Sequence, residues 1–147
     1  MTGAASASRD CPFCAIVAGV AAARMVYADD AVVAFLNTRP AARGHTLVVP
    51  RRHVEHLWDS AADDVAAVAR GVHAVAGLLR ERLAPDGLTL RQNTGHASGQ
   101  EVFHLHVHLV PRWHGDGHVG WPWPPPDAED ALAVHALLGE GWPTATR

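Results

Sequence analysis

The sequence predicts an α+β fold, an antiparallel sheet of five strands with a long helix packed on it. Three observations predict it. Five short runs rich in β-branched or aromatic residues are bounded by Gly, Pro or Asp, as strands are. One stretch after Ser60 instead repeats apolar residues every three or four positions, as a helix burying one face does. The order is helix, hairpin, strand, long helix, two strands, which lacks the strand–helix alternation of a parallel sheet and places the helices on one side.

The elements follow in chain order. "CPFCAIVAG", Cys11 to Gly19, reads as a knuckle entering a short helix, ended at Gly19 because glycine tolerates the left-handed closing conformation. "RMVYADDAVVAFLN" gives a hairpin turning at Asp29 and Asp30, and "GHTLVVP", Gly44 to Pro50, a third strand stopped by a residue without an N–H. Ser60 is the expected cap of the long helix. Asp63 and Asp64 suit its first turn, and Val65, Val68, Val72, Val75, Leu79 and Leu83 form its core face. Pro85 to Gly87 break it. "LTLRQN" is then the fourth strand, "TGHASGQ" a loop and "VFHLHVHLVPR" the fifth strand. "WPWPPP" excludes regular structure, and Asp127 is expected to cap a last helix carrying Leu132, Val134, Leu137 and Leu138. No internal repeat interrupts this order. A single domain over residues 10–140 is expected, with loose ends at 1–9 and 141–147, since small polar termini have little apolar area to offset ordering entropy.

A chain of 147 residues can bury roughly 68–70% of its unfolded surface without disulfides or metals. Its net charge of −3 and scattered basic residues exclude a polyanion-binding footprint, so no nucleic acid partner is expected. All 12 basic residues are arginine. The absence of lysine excludes a P-loop lysine, a Schiff-base lysine and a lysine general base. The N-terminal "MTGAASASRD" lacks a signal-peptide apolar core, and no apolar run approaches the roughly 18 residues of a membrane span. A cytoplasmic protein with no membrane partner is expected.

The informative stretch is "GQEVFHLHVHLVPR", Gly99 to Arg112. In a strand, alternate side chains share a face, so His104, His106 and His108 project together while Leu105, Val107 and Leu109 face the helices. Neighbouring histidine Cα atoms then lie roughly 7 Å apart and the outer two about 13 Å apart. Two adjacent rings can share one ion, whereas three on a nearly straight strand cannot readily do so at nitrogen–zinc distances of about 2.0–2.1 Å. Placing three polar rings side by side for packing alone costs desolvation with no advantage over Val or Leu. Phosphoryl transfer supplies three separate roles: a nucleophile at His106, a phosphate-oxygen donor at His108 and an anchor. A neutral histidine is nucleophilic once Nδ1–H is held by an acceptor and Nε2 is left to attack. Backbone N–H groups of Gly95 and the "HASGQ" loop can meet an anion in place of the missing lysine.

"HLHVHLVPR" resembles the motif His-φ-His-φ-His-φ-φ, with φ apolar, of the histidine triad (HIT) superfamily. "CPFCAIVAG", "VYADDAVVAFLNTRPAARGHTLVVPRRH" and "NTGHASGQEVFHLHVHLVPR" are similar to that family's blocks in the same order, so the resemblance spans roughly residues 11–112. It implies a HIT-like fold of the Hint-like, zinc-containing type, usually homodimeric, acting at the α-phosphate of a nucleoside phosphoramidate or dinucleoside polyphosphate. It implies that His106 forms a nucleotidyl-histidine, that His108 contacts the α-phosphate and that His45 supports the triad. Asn37, Thr38, Asn93, Gly99, Gln100 and Glu101 would, with His106 and His108, line a site for a purine nucleotide of AMP-X or GMP-X type. Asn37 stands where the family usually has a ribose-binding Asp, and binds a hydroxyl without charge assistance. Glu101 replaces the Ser or Thr of phosphoramidase members. It either donates a proton to the leaving group or faces solvent.

Cys11 and Cys14 have the spacing of half a metal site or a redox pair; too few for a disulfide framework, they point to a reducing compartment. The resemblance implies that His53 and His104 complete a structural Zn2+ site with them, the alternative being reduced, metal-free cysteines as in relatives without the site. The other histidines receive no role, and Trp121, Trp123 and Trp142 are read as packing. Two other functions stand beside the enzyme: a nucleotide-binding regulatory module with negligible turnover, and a metal-dependent hydrolase that chelation would stop.

Overall fold

A computed structural model describes residues 8–117 and 128–139. Of the ends expected to be loose, residues 1–7 of 1–9 and all of 141–147 lie outside these residues, as do the "WPWPPP" stretch, Asp127, His118 and the three C-terminal tryptophans.

The elements run α1 (Pro12–Val17), β1 (Met25–Ala28), β2 (Val32–Leu36), β3 (Thr46–Pro50), α2 (Ala62–Leu83), β4 (Gly87–Arg91), a 3-10 turn (His96–Ser98), β5 (Val107–Arg112) and α3 (Ala128–Gly139). The five strands form one sheet in the order β1-β2-β3-β5-β4, and every neighbouring pair is antiparallel. Asp29 closes the β1–β2 hairpin by accepting the Ala31 and Val32 N–H groups, each at 2.8 Å. Such an Asx turn is what the Asp pair promised.

Alternation divides the sheet into two faces. Val32, Ala34, Leu36, Val48, Leu105 and Leu109 face a core built with α2 and α3, whose contributions include Val68, Val75, Leu79, Leu83, Val134 and Leu138. Val33, Phe35, Leu47 and Val49 face the other way, onto Cys11, Phe13 and Cys14 of α1 and its cap. β3 and β5 pair Leu47 with His108 and Val48 with Val107, so His108 lies on the α1 face. The expected partition of the histidines from Leu105, Val107 and Leu109 therefore holds.

Four expectations change. The helices do not share one side of the sheet: α1 packs on the face opposite α2 and α3, where Val33, Phe35, Leu47 and Val49 offer a second apolar surface. The fifth strand begins at Val107, so His104 and His106 precede the ladder: Leu105 N–H instead donates to Val54 O at 2.7 Å, fixing that stretch to the segment after β3. Ser60 does not cap α2; its hydroxyl donates to His56 O at 2.8 Å, and Ala61 holds the cap position without a side-chain bond. In α3 only Val134 and Leu138 of the four expected residues are buried, Leu132 and Leu137 being exposed. Residues four apart share one face of a helix, and that single stripe meets the core.

Candidate functional site

Two adjoining polar clusters lie on the α1 face. The first gathers Cys11, Cys14, His53 and His104, whose donor atoms all lie within 4.8 Å of one another. Cys11 caps α1, its Sγ accepting the Cys14 N–H at 3.4 Å. Cys14 Sγ lies 3.2 Å from His53 Nδ1 and 3.5 Å from His104 Nδ1, Cys11 Sγ 3.4 Å from His104 Nδ1, and the two histidine nitrogens 3.3 Å apart. A tetrahedron with zinc-type bonds of about 2.1 and 2.3 Å has edges of roughly 3.4–3.8 Å. The cluster is fit to hold a metal ion. His104 Nε2–H donates to Pro50 O at 2.7 Å, which turns the Nδ1 lone pair toward the sulfurs. Burial first, and then the neighbouring rings, hold its pKa at about 4, so it is neutral as a ligand must be. The site is closed, with four protein donors, three of them buried.

The second cluster contains His45, His106 and His108. His106 Nδ1–H donates to the main-chain oxygen of His104 at 2.7 Å. A carbonyl only accepts, so the neutral ring keeps its lone pair on Nε2, which receives no hydrogen bond from the described residues. Burial pushes the His106 pKa down. Phe13 packs edge-on against this ring with centroids 5.2 Å apart.

A chain of hydrogen bonds fixes the other two tautomers. The Ala41 N–H donates to His45 Nδ1 at 2.8 Å, so His45 carries its proton on Nε2. That nitrogen is 2.8 Å from His108 Nδ1, which must accept, and His108 is left as an Nε2–H donor. The Asn37 amide lies farther from His45 Nε2, at 3.4 Å, with its oxygen taken by the Arg39 N–H. Burial, then the positive form of His106, lowers His45 to about 4. His108 is held at about 3 by burial and by repulsion from His106, His45 and Arg91. All three rings are thus neutral at pH 7.

The remaining sequence candidates scatter around this cluster. Thr38 and Glu101 are exposed. Asn93 donates its amide to Ser98 O, holding the loop before Gly99. Gln100 is 1% exposed, and its side chain accepts the Gly95 N–H at 2.7 Å and donates to Glu55 O and Val102 O. Both amide hydrogens are used, so an N–H contact from Gln100 to a nucleotide would break one of these bonds. The Gly99 and Gln100 N–H groups close the loop on His96 O and Gly95 O, whereas the Glu101 N–H donates to no described residue.

Sequence reasoning missed Phe13, Pro50 O, the Ala41 N–H and Arg91. Only Phe13 carried a signal, lying between the two cysteines. Cross-strand neighbours and main-chain partners leave no trace in spacing.

The HIT domain family matches residues 18–115. An uncharacterised HIT-like protein of Methanocaldococcus jannaschii is 41% identical over 109 residues, 74% of this chain and 84% of that protein. The adenylylsulfatase HINT3 of Arabidopsis thaliana is 34% identical over 103 residues, 70% of this chain and 52% of its own length. A zinc-bound histidine triad family protein from Mycobacterium smegmatis superposes with a TM-score of 0.76 at 39% identity, covering 88% of this chain and 93% of the other.

Proposed function

The chain belongs to the HIT domain family, and from that membership we propose that it is a nucleotide hydrolase or transferase acting at an α-phosphate through a nucleotidyl intermediate on His106. The observation that carries the reading is the 2.7 Å bond from His106 Nδ1–H to His104 O. It fixes the tautomer whose Nε2 lone pair can attack phosphorus, with no proton to remove first. His108 Nε2–H, set through His45 and the Ala41 N–H, supplies a donor where negative charge gathers on the phosphoryl oxygens. The Glu101 N–H is a second donor for that anion. A relative named as an adenylylsulfatase supports chemistry at a phosphorus joined to a nucleoside.

Zinc is the metal proposed for the four-donor cluster, in keeping with the zinc-bound relative. Bound there, it supplies a structural cross-link, because a closed tetrahedral site keeps no open position for water. The substrate is a purine nucleotide of AMP-X or GMP-X type, with Asn37 and Asn93 beside the histidines. A homodimer and a cytoplasmic setting complete the reading; no described helix is long and apolar enough to cross a membrane.

Incubation with adenosine 5′-phosphoramidate and intact-mass analysis test this directly. The wild-type protein releases AMP and carries a transient AMP adduct on His106. His106→Ala loses the adduct and at least about 10^3-fold in turnover while still binding AMP. AMP release without His106 dependence overturns the mechanism; AMP binding with neither adduct nor turnover on this substrate, adenosine 5′-phosphosulfate or diadenosine triphosphate leaves a regulatory module.

A further inference from the structure

We propose that Arg91 binds the departing group and tunes the site toward substrates whose leaving group is itself an oxyanion, a phosphate or a sulfate joined to the nucleotide through oxygen. The inference rests on the nucleotidyl-transfer reading above and names the substrate class within it.

The sheet places Arg91 there. β4 pairs antiparallel with β5, and Arg91 is the register partner of His108. Directly opposed residues share a face with Cβ atoms about 4.5–5.5 Å apart, so Arg91 projects beside His108 on the face that carries the triad. Its Nε donates to Asn93 Oδ1 at 3.1 Å, directing the guanidinium toward the turn where Asn93 holds Ser98 O. The side chain is half-buried, where charge is screened less than on an open surface. Arg91 is also among the charges that hold His108 in its neutral form.

Chemistry converts this placement into a preference. His106 Nε2 forms its bond to the α-phosphorus while the bond to the leaving atom breaks, and the electron pair goes to that atom. A departing phosphate or sulfate keeps the pair on its bridging oxygen and requires a nearby cation, not a proton. A departing amine requires a proton. A guanidinium supplies the first and cannot supply the second, since it carries five N–H donors and does not deprotonate near neutral pH. Water then forms a bond to the same phosphorus as the P–Nε2 bond breaks with its electron pair returning to Nε2, which regenerates neutral His106 and releases the nucleoside monophosphate, the proton of the water passing to solvent. The exposed side chain of Glu101 has no hydrogen bond to the triad among the described residues.

The experiment compares kcat/KM for adenosine 5′-phosphosulfate, diadenosine triphosphate and adenosine 5′-phosphoramidate in the wild type, Arg91→Leu and Arg91→Lys, at low and high salt. Arg91→Leu is expected to lower the ratio of each oxyanion substrate to the phosphoramidate roughly 10- to 100-fold, the worth of a charge-assisted bond. Arg91→Lys restores part of that ratio, and added salt lowers it in the wild type more than in Arg91→Leu. A fall confined to one oxyanion substrate assigns the contact to sulfate or to phosphate. Equal losses on all three substrates, or a wild type that cleaves only the phosphoramidate, overturn the role of Arg91 alone. A wild type that cleaves none overturns the function on which it rests.

Discussion

His106 takes its tautomer from one main-chain carbonyl, and that carbonyl belongs to His104, whose ring faces the metal cluster. His108 takes its tautomer from His45, which takes its own from the Ala41 N–H. At this scale the cluster is a set of proton positions fixed by backbone groups. Removing His45 by His45→Ala leaves the His108 ring without the donor that specifies Nε2–H. Turnover is expected to fall roughly 10- to 100-fold with KM altered far less, because the donor acts mainly on developing charge. Steady-state kinetics on a phosphoramidate checks this; a KM rise with unchanged kcat would instead make His45 a binding residue.

The elements explain why these residues meet. α2 lies close enough to the sheet that a Cβ at Gly71 would stand 2.6 Å from Val32 Cγ2 and 3.2 Å from Val48 Cγ1. Gly71→Ala therefore gains helix propensity of about 1 kcal/mol against overpacking of typically 1–3 kcal/mol. Net destabilisation is expected from chemical denaturation, and a more stable variant would contradict the close approach. Gly44, with φ of +81°, marks the start of β3 where Leu83 leaves no room for a side chain. At the other end of the fold, His135 Nε2–H donates to Met25 O at 3.0 Å and ties α3 to β1. The period of the apolar residues announced α2 plainly, whereas its start did not follow from Ser60. A hydroxyl can serve a helix or a neighbouring carbonyl, and only the path of residues 56–60 chooses.

For the whole molecule, burying neutral histidines makes stability depend on pH. His45 and His108 are held at about 4 and about 3 in the fold, against about 6.5 when unfolded. Below pH 6.5 the unfolded chain takes up protons that the folded chain refuses, so stability is lost as pH falls. The loss runs from about pH 6.5 to about 4 for His45 and to about 3 for His108, at up to roughly 1.4 kcal/mol per pH unit for each. Thermal melts should be nearly flat above pH 7 and fall steeply below 6.5, with a shallower slope in His45→Gln; a rise in Tm on acidification would refute this. Metal removal acts on the same balance. A chelator is expected to lower Tm, since bound metal contributes folding free energy. At a temperature where the protein stays folded, turnover should persist; its immediate loss would indicate a catalytic metal.

Spacing and family resemblance determined much here. The strand order, the long helix and the opposition of Leu105, Val107 and Leu109 to the histidines were legible from period, Cys11 and Cys14 from their spacing, and His53 and His104 from the HIT resemblance, because period and motif are local properties of the chain. What only the tertiary structure decided was contact across the sheet: that Arg91 stands opposite His108, that Gln100 holds its own loop, and which nitrogen of each ring carries a proton. Those facts depend on strand register and on main-chain N–H and C=O groups, which every residue but proline carries alike and which no sequence pattern therefore marks.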